Sequence, residues 1–170
     1  VQNCFLADKI GNTAWLIVGR VPNRVGFNGR ATVPRDASHY WNGYIETKDM
    51  PRIINRPGSA LSSGNQRTSP YGKDLYKIGH GWPSPARGYR IKQLLSDPKK
   101  WNATHSAAVQ LDTLSVAHLW YRDYLMPYLS NDSKDPWIQE IVKLISPWDG
   151  RLSVDSGAYL FLKKFRLAVF

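Results

Sequence analysis

"NCFLADKIGNTAWLIVGRVP", residues 3–22, sets two short apolar runs on either side of "KIGNT". Aromatic and β-branched side chains suit a pleated surface, and Gly with Asn supplies tight-turn conformations, so the stretch reads as strand, turn, strand. "NCFLAD" and "AWLIVGRVP" are therefore expected to be strands. Downstream, "VGFNGRATVPRD" at 25–36 reads as a loop and "SALSSGN" at 59–65 as a further strand. This Gly- and Pro-rich, strand-forming character holds to about residue 86.

From Arg87 onward the period of the apolar residues becomes helical. Ile91, Leu94 and Leu95 share one face, with Pro98 as the stop. A longer helix is expected over 105–126, where Ala107, Leu111, Leu114, Tyr121 and Leu125 recur at three- and four-residue spacing. His118 falls in that stripe and reads as a packed residue. Asp135 and Pro136 pair an N-cap with the proline favoured at the first helical position, and Ile138, Ile141, Val142 and Ile145 supply the buried face of a helix stopping near Pro147. A last helix starts after Ser156; it is apolar around most of its circumference, which calls for burial on several sides. The fold class is α+β, strand-rich over 1–86 and helical over 87–170.

At 170 residues, 42% hydrophobic and 12% aromatic, the chain has the size and composition of one folded domain and lies well outside the disordered class. The net charge of +10 comes from scattered Lys and Arg and not from a stripe, so nucleic acid is not the expected partner. No run reaches the roughly 18 apolar residues of a membrane span, and the first residues do not read as a signal peptide. The single Cys4 excludes an intrachain disulfide and a cysteine-based zinc site. HExxH, P-loop and G-x-S-x-G signatures are absent. His39, His80, His105 and His118 stand apart in sequence and read as structural or surface residues, and the sequons at Asn102 and Asn131 are short enough to occur by chance.

Five blocks carry a stronger signal: "QNCFLADKIGNTAWLIVGRVPNR" at 2–24, "WNGYIETKDMPRIINRPGSALSSGNQR" at 41–67, "WPSPARGYRIKQLL" at 82–95, "AVQLDTLSVAHLWYRDYLMPYL" at 108–129 and "WDGRLSVDSGAYLF" at 148–161. In order and spacing they resemble the β-chain of the penicillin acylase family of N-terminal-nucleophile hydrolases. The resemblance implies part of the αββα sandwich of that fold, with 1–170 a single partial domain. It implies an enzyme that hydrolyses a linear amide, releasing an acyl group from an amine such as a β-lactam nucleus or a homoserine lactone. In such enzymes the first residue of the β-chain is the nucleophile, and its own α-amine is the general base. Asn65 matches the asparagine whose side-chain amide donates to the oxyanion. Arg87 stands at the spacing the family arginine keeps from it, where its charge would keep the amine unprotonated and its guanidinium fork would orient Asn65. Arg90 competes for that place if the register slips by one helical turn.

The resemblance has departures. Asn65-Gln66 stands where the family often has Asn-Asn, Arg56 where it has Pro, and Ser63-Gly64 where pairs such as Thr-Ala are more usual. No cofactor is implied for the reaction; calcium is implied for some members, and Asp74 matches one of its ligands. The sequence begins at Val1, so the nucleophile is expected upstream and the 170 residues are expected to be an inactive piece of the β-chain. Cys4 as a trimmed N-terminal nucleophile would have the right chemistry, but its block reads as an interior strand. The expected partners are the rest of the precursor, an α-chain and the upstream β-chain, and a small acylated amine. The expected setting is the bacterial periplasm or the outside of the cell. Two other readings stay open: a basic, aromatic-rich module for acidic polymers, and a family member whose site has decayed.

Overall fold

Asp8 closes the first hairpin. In the computed structural model, which describes residues 2–36, 40–55, 60–67, 78–97, 101–129 and 133–169, its Oδ1 accepts the backbone N–H groups of Ile10 and Asn12 at 3.0 and 2.8 Å. Its Oδ2 accepts from Asn12 Nδ2 at 2.7 Å. These bonds favour the ionised carboxylate, the Asn12 side chain most of all, and hold the Asp8 pKa below the usual aspartate value. The turn joins β1 (Gln2–Ala7) to β2 (Thr13–Val18), antiparallel from Gln2 opposite Val18 to Ala7 opposite Thr13.

The chain divides into two compact units, Val1–Gly88 and Tyr89–Phe170. In the first, β2 lies between β1 and β5 (Arg52–Ile54), and Trp15 sits opposite both Phe5 and Ile53. Trp15 is 2% exposed, and its indole N–H donates to Asn3 Oδ1 at 2.9 Å, so the largest buried ring of the unit also satisfies its one polar atom. Asn55 ends β5 in a left-handed conformation, φ 46°, and its Oδ1 accepts from the Thr13 N–H at 2.9 Å.

The expected strand "AWLIVGRVP" is in fact two. Gly19 has φ 115°, which breaks β2, and the chain re-enters as β3 (Pro22–Arg24) in a separate two-stranded sheet with β4 (Trp41–Tyr44). There Arg20 lies over the Tyr44 ring and Arg24 over Trp41. The strand expected at 59–65 is also not formed: residues 60–65 run without strand pairing. Ser, Ala and Gly offer that stretch little β-propensity, and its polar groups bond locally instead.

The expected helix from Arg87 is α1 (Ala86–Leu95). The single helix expected over 105–126 is two, α2 (Ala103–Gln110) and α3 (Val116–Leu125). Asn102, from one of the sequons, caps α2 by accepting the His105 N–H at 2.9 Å. The break at 111–115 has three causes. Asp112 accepts a two-pronged bond from Arg90, Nε at 2.7 Å and Nη2 at 3.0 Å. Ser115 N–H donates to Gly150 O at 2.8 Å, and Leu152 N–H to Thr113 O at 3.0 Å. Asp, Thr and Ser are weak helix formers, so these tertiary partners prevail over continuation. Ala107 is therefore exposed and Leu111 is 77% exposed, contrary to the expected stripe.

α4 (Pro136–Ile145) starts as expected, with Asp135 Oδ1 accepting from the Trp137 N–H at 2.9 Å. Ile145, Trp148, Ala158 and Leu162 form the core of the second unit, with Leu119, Leu125, Ile141 and Phe161 packed on it. The last helix, α5 (Gly157–Val169), buries only part of its apolar girdle: Leu160 and Leu167 are 55% and 61% exposed. No helix among the described residues is long and apolar enough to cross a membrane.

His118 is buried in this unit, as its place in the stripe suggested. Its Nδ1 is 2.7 Å from Ser115 Oγ, its ring meets Tyr159 edge-on at 4.9 Å, and its Nε2 has no hydrogen-bond partner among the described residues. Burial first, then the charges of Arg166 and Lys163, push its pKa down, since an imidazolium here would be desolvated and repelled. The unfolded chain takes up the proton near the ordinary value of about 6.5 and the folded chain only at lower pH. Stability is thus complete above that range and lost as pH falls through it. Thermal melts should show a falling midpoint from about pH 7.5 to 5.5 that His118→Phe flattens; an identical slope in the variant would assign the effect to other groups.

Candidate functional site

Residues 60–67 and the first turn of α1 meet through two glycines. A Cβ on Gly64 would lie 2.7 Å from the Gly88 nitrogen and 2.9 Å from Arg87 Cβ, and a Cβ on Gly88 would lie 2.5 Å from the side-chain amide of Gln66. Both glycines are buried. Only the missing side chains let the loop lie against the helix this closely.

This contact presents Asn65. Its φ of 65° is left-handed, a region that Asn tolerates better than most residues. Its backbone N–H donates to Ser63 Oγ at 3.2 Å, and on its other side the Gly64 N–H donates to Gln66 Oε1 at 2.5 Å. Arg87, the second residue of α1, donates from Nη2 to Asn65 Oδ1 at 2.9 Å. A guanidinium has no acceptor, so the oxygen of the amide must face Arg87 and the Nδ2 donors must face away. Asn65 and Arg87 are both exposed. The arrangement is an aimed amide donor backed by a fixed positive charge, which suits a negative oxygen.

Arg90 does not share this place. It is committed to Asp112, whose carboxylate raises the Arg90 pKa and is itself held below the usual aspartate range, chiefly by the Arg90 hydrogen bond. Cys4 lies within β1 opposite Leu16, half-buried. His80 Nε2 contacts Gly29 O, and His105 packs edge-on against Trp101. His39 and Asp74 lie outside the described residues. Among the described residues no three His, Cys, Asp or Glu side chains group to hold a metal. The sequence reading missed Gln66 as a structural partner of Gly64; Gly88, directly after Arg87, was the available sign that something approaches the helix there.

The chain matches the family model described as penicillin amidase over residues 1–169. It is 30% identical over 169 residues to the penicillin acylase 2 proenzyme of Pseudomonas sp. (strain SE83), covering 99% of this chain and 21% of that protein. A thermostable penicillin G acylase from Alcaligenes faecalis has the same fold, with a TM-score of 0.66 at 19% identity over 91% of this chain and 28% of that one. The chain thus spans about a fifth of the curated relative's length. Strands followed by helices, in the arrangement of a solved acylase and with a family match along nearly the whole sequence, leave one assignment: the chain belongs to the penicillin amidase family and carries part of the N-terminal-nucleophile hydrolase fold.

Proposed function

We propose that this chain supplies the oxyanion-stabilising half of an amidohydrolase site. The reaction is attack on a linear amide by a nucleophile whose free α-amine takes its proton and passes it to the leaving amine as the tetrahedral intermediate collapses. Water, activated by the same α-amine, then cleaves the acyl-enzyme, releasing the acid and restoring the nucleophile. Asn65 Nδ2 donates to the oxyanion. Arg87 holds the amide by its oxygen and disfavours protonation of the nucleophile's amine. The observation that carries this reading is the Arg87 to Asn65 Oδ1 bond, which leaves the Nδ2 donors of Asn65 facing away from Arg87.

The nucleophile and the acyl pocket belong, in this reading, to further polypeptide of the kind that makes up the rest of the relative's proenzyme. The substrate is a small acylated amine, and the setting is periplasmic or extracellular. Calcium takes no part in the chemistry assigned to Asn65. The test is release of the amine from a chromogenic acyl-anilide by the processed full-length protein. A correctly processed protein that turns over no acyl-amine would leave the site a decayed relic.

A further inference from the structure

We propose that Gln66 is a positioning residue that sets the oxyanion donor through the backbone, and that Gly88 is the seat that admits it. The inference rests on the proposed oxyanion role of Asn65. Gln66 Oε1 takes the Gly64 N–H at 2.5 Å, so its side chain folds back across Asn65 and pins the residue before it. The amide then lies against Gly88, where an added Cβ would come within 2.5 Å of its Cδ, Nε2 and Oε1. Gly64, in turn, lies on the backbone of Gly88. One side chain thereby ties both flanks of Asn65 to the turn that carries Arg87.

Asn65 gains from this because its own conformation is not self-sustaining. A left-handed residue in an exposed loop stays in that region when its surroundings over-determine it. Arg87 fixes the amide plane from the far end, but a guanidinium on a long, exposed side chain sets direction better than position. The bond from Gln66 to Gly64 supplies the position. Gln66 takes no part in the proposed bond changes; it acts through Asn65, by way of Gly64 and Gly88.

The experiment uses the full-length processed protein, with processing confirmed by mass. Gln66→Ala should lower kcat roughly ten- to hundredfold, because small misplacement of a catalytic group carries losses of that order. KM should change little, as for an interaction made in the transition state. Gly88→Ala, which leaves Gln66 intact but displaces its amide, should act in the same direction and serves where Gln66→Ala fails to mature. Added to Asn65→Gly, a deletion that suits the left-handed backbone, Gln66→Ala should cause no further loss, since the donor it places is gone. Near-normal kcat in Gln66→Ala beside a crippled Asn65→Gly overturns this inference alone. Equal losses from Gln66→Ala in both backgrounds overturn it too, by assigning Gln66 to general stability. Near-normal kcat in Asn65→Gly removes the oxyanion role itself, and the positioning role with it.

Discussion

Asn65→Asp in the processed full-length protein is expected to lower kcat by roughly 10² to 10³ with substrate binding little changed, the loss typical of a deleted oxyanion donor. Asp shares the tolerance of Asn for a left-handed backbone, so φ 65° is kept. The bond from Arg87 Nη2 is kept as well, now to a carboxylate oxygen, which puts the second oxygen where Nδ2 stood. The variant therefore preserves the geometry and reverses the sign of the group facing the developing charge. Alanine is the poorer test, because a left-handed alanine adds about 1–2 kcal/mol of backbone strain unrelated to catalysis. The measurement is kcat and KM on an acyl-anilide after mass confirms autocleavage. A processed Asn65→Asp protein with near-normal kcat would make Asn65 a loop residue.

Arg87→Leu should produce two separable defects. The Asn65 oxygen loses its partner, so the amide is free to turn and kcat falls, by roughly ten- to hundredfold if orientation matters as it does for other oxyanion donors. The second defect is electrostatic. A nearby positive charge depresses the pKa of an amine, so removing it raises that pKa and moves the acidic limb of the pH–rate profile to higher pH. Arg87→Lys divides the two: the charge and hence the limb remain, while the planar fork is lost and kcat still drops. An unmoved limb in Arg87→Leu with full activity would return Arg87 to the solvated surface, and Arg90 could not replace it while bound to Asp112.

What was legible in the sequence was what is local. The hairpin at 3–22 is announced by side chains and a turn that agree within a few residues, and α4 by a cap, a proline and a stripe that agree within ten. The break between α2 and α3 is not local. Its causes are Arg90 on one side and Gly150 and Leu152 on the other, none visible from the apolar spacing of 105–126. The strand expected at 59–65 failed for a similar reason, since small and polar residues specify a conformation only through the neighbours they meet. At the site, Asn65 and Arg87 were selected by resemblance and share a hydrogen bond. Gly88 marks that something approaches the helix there but not what, because room for the Gln66 amide is a property of two segments and not of either one.

The left-handed backbone at position 65 also narrows what evolution can put there. On the oxyanion role proposed for Asn65, two filters act on one residue and read different parts of it. The backbone filter passes Gly, Asn and Asp. A filter for a short neutral N–H donor that also offers an oxygen to a guanidinium passes Asn and, at a longer reach, Gln. Their intersection holds a single residue type. A lineage of this protein drifting at neighbouring surface positions has many neutral steps open to it, while at 65 each exit fails one filter or the other. Under the proposed role, loss of Asn65, with its left-handed backbone and its bond from Arg87, is a one-step event with no intermediate residue that half-performs the task.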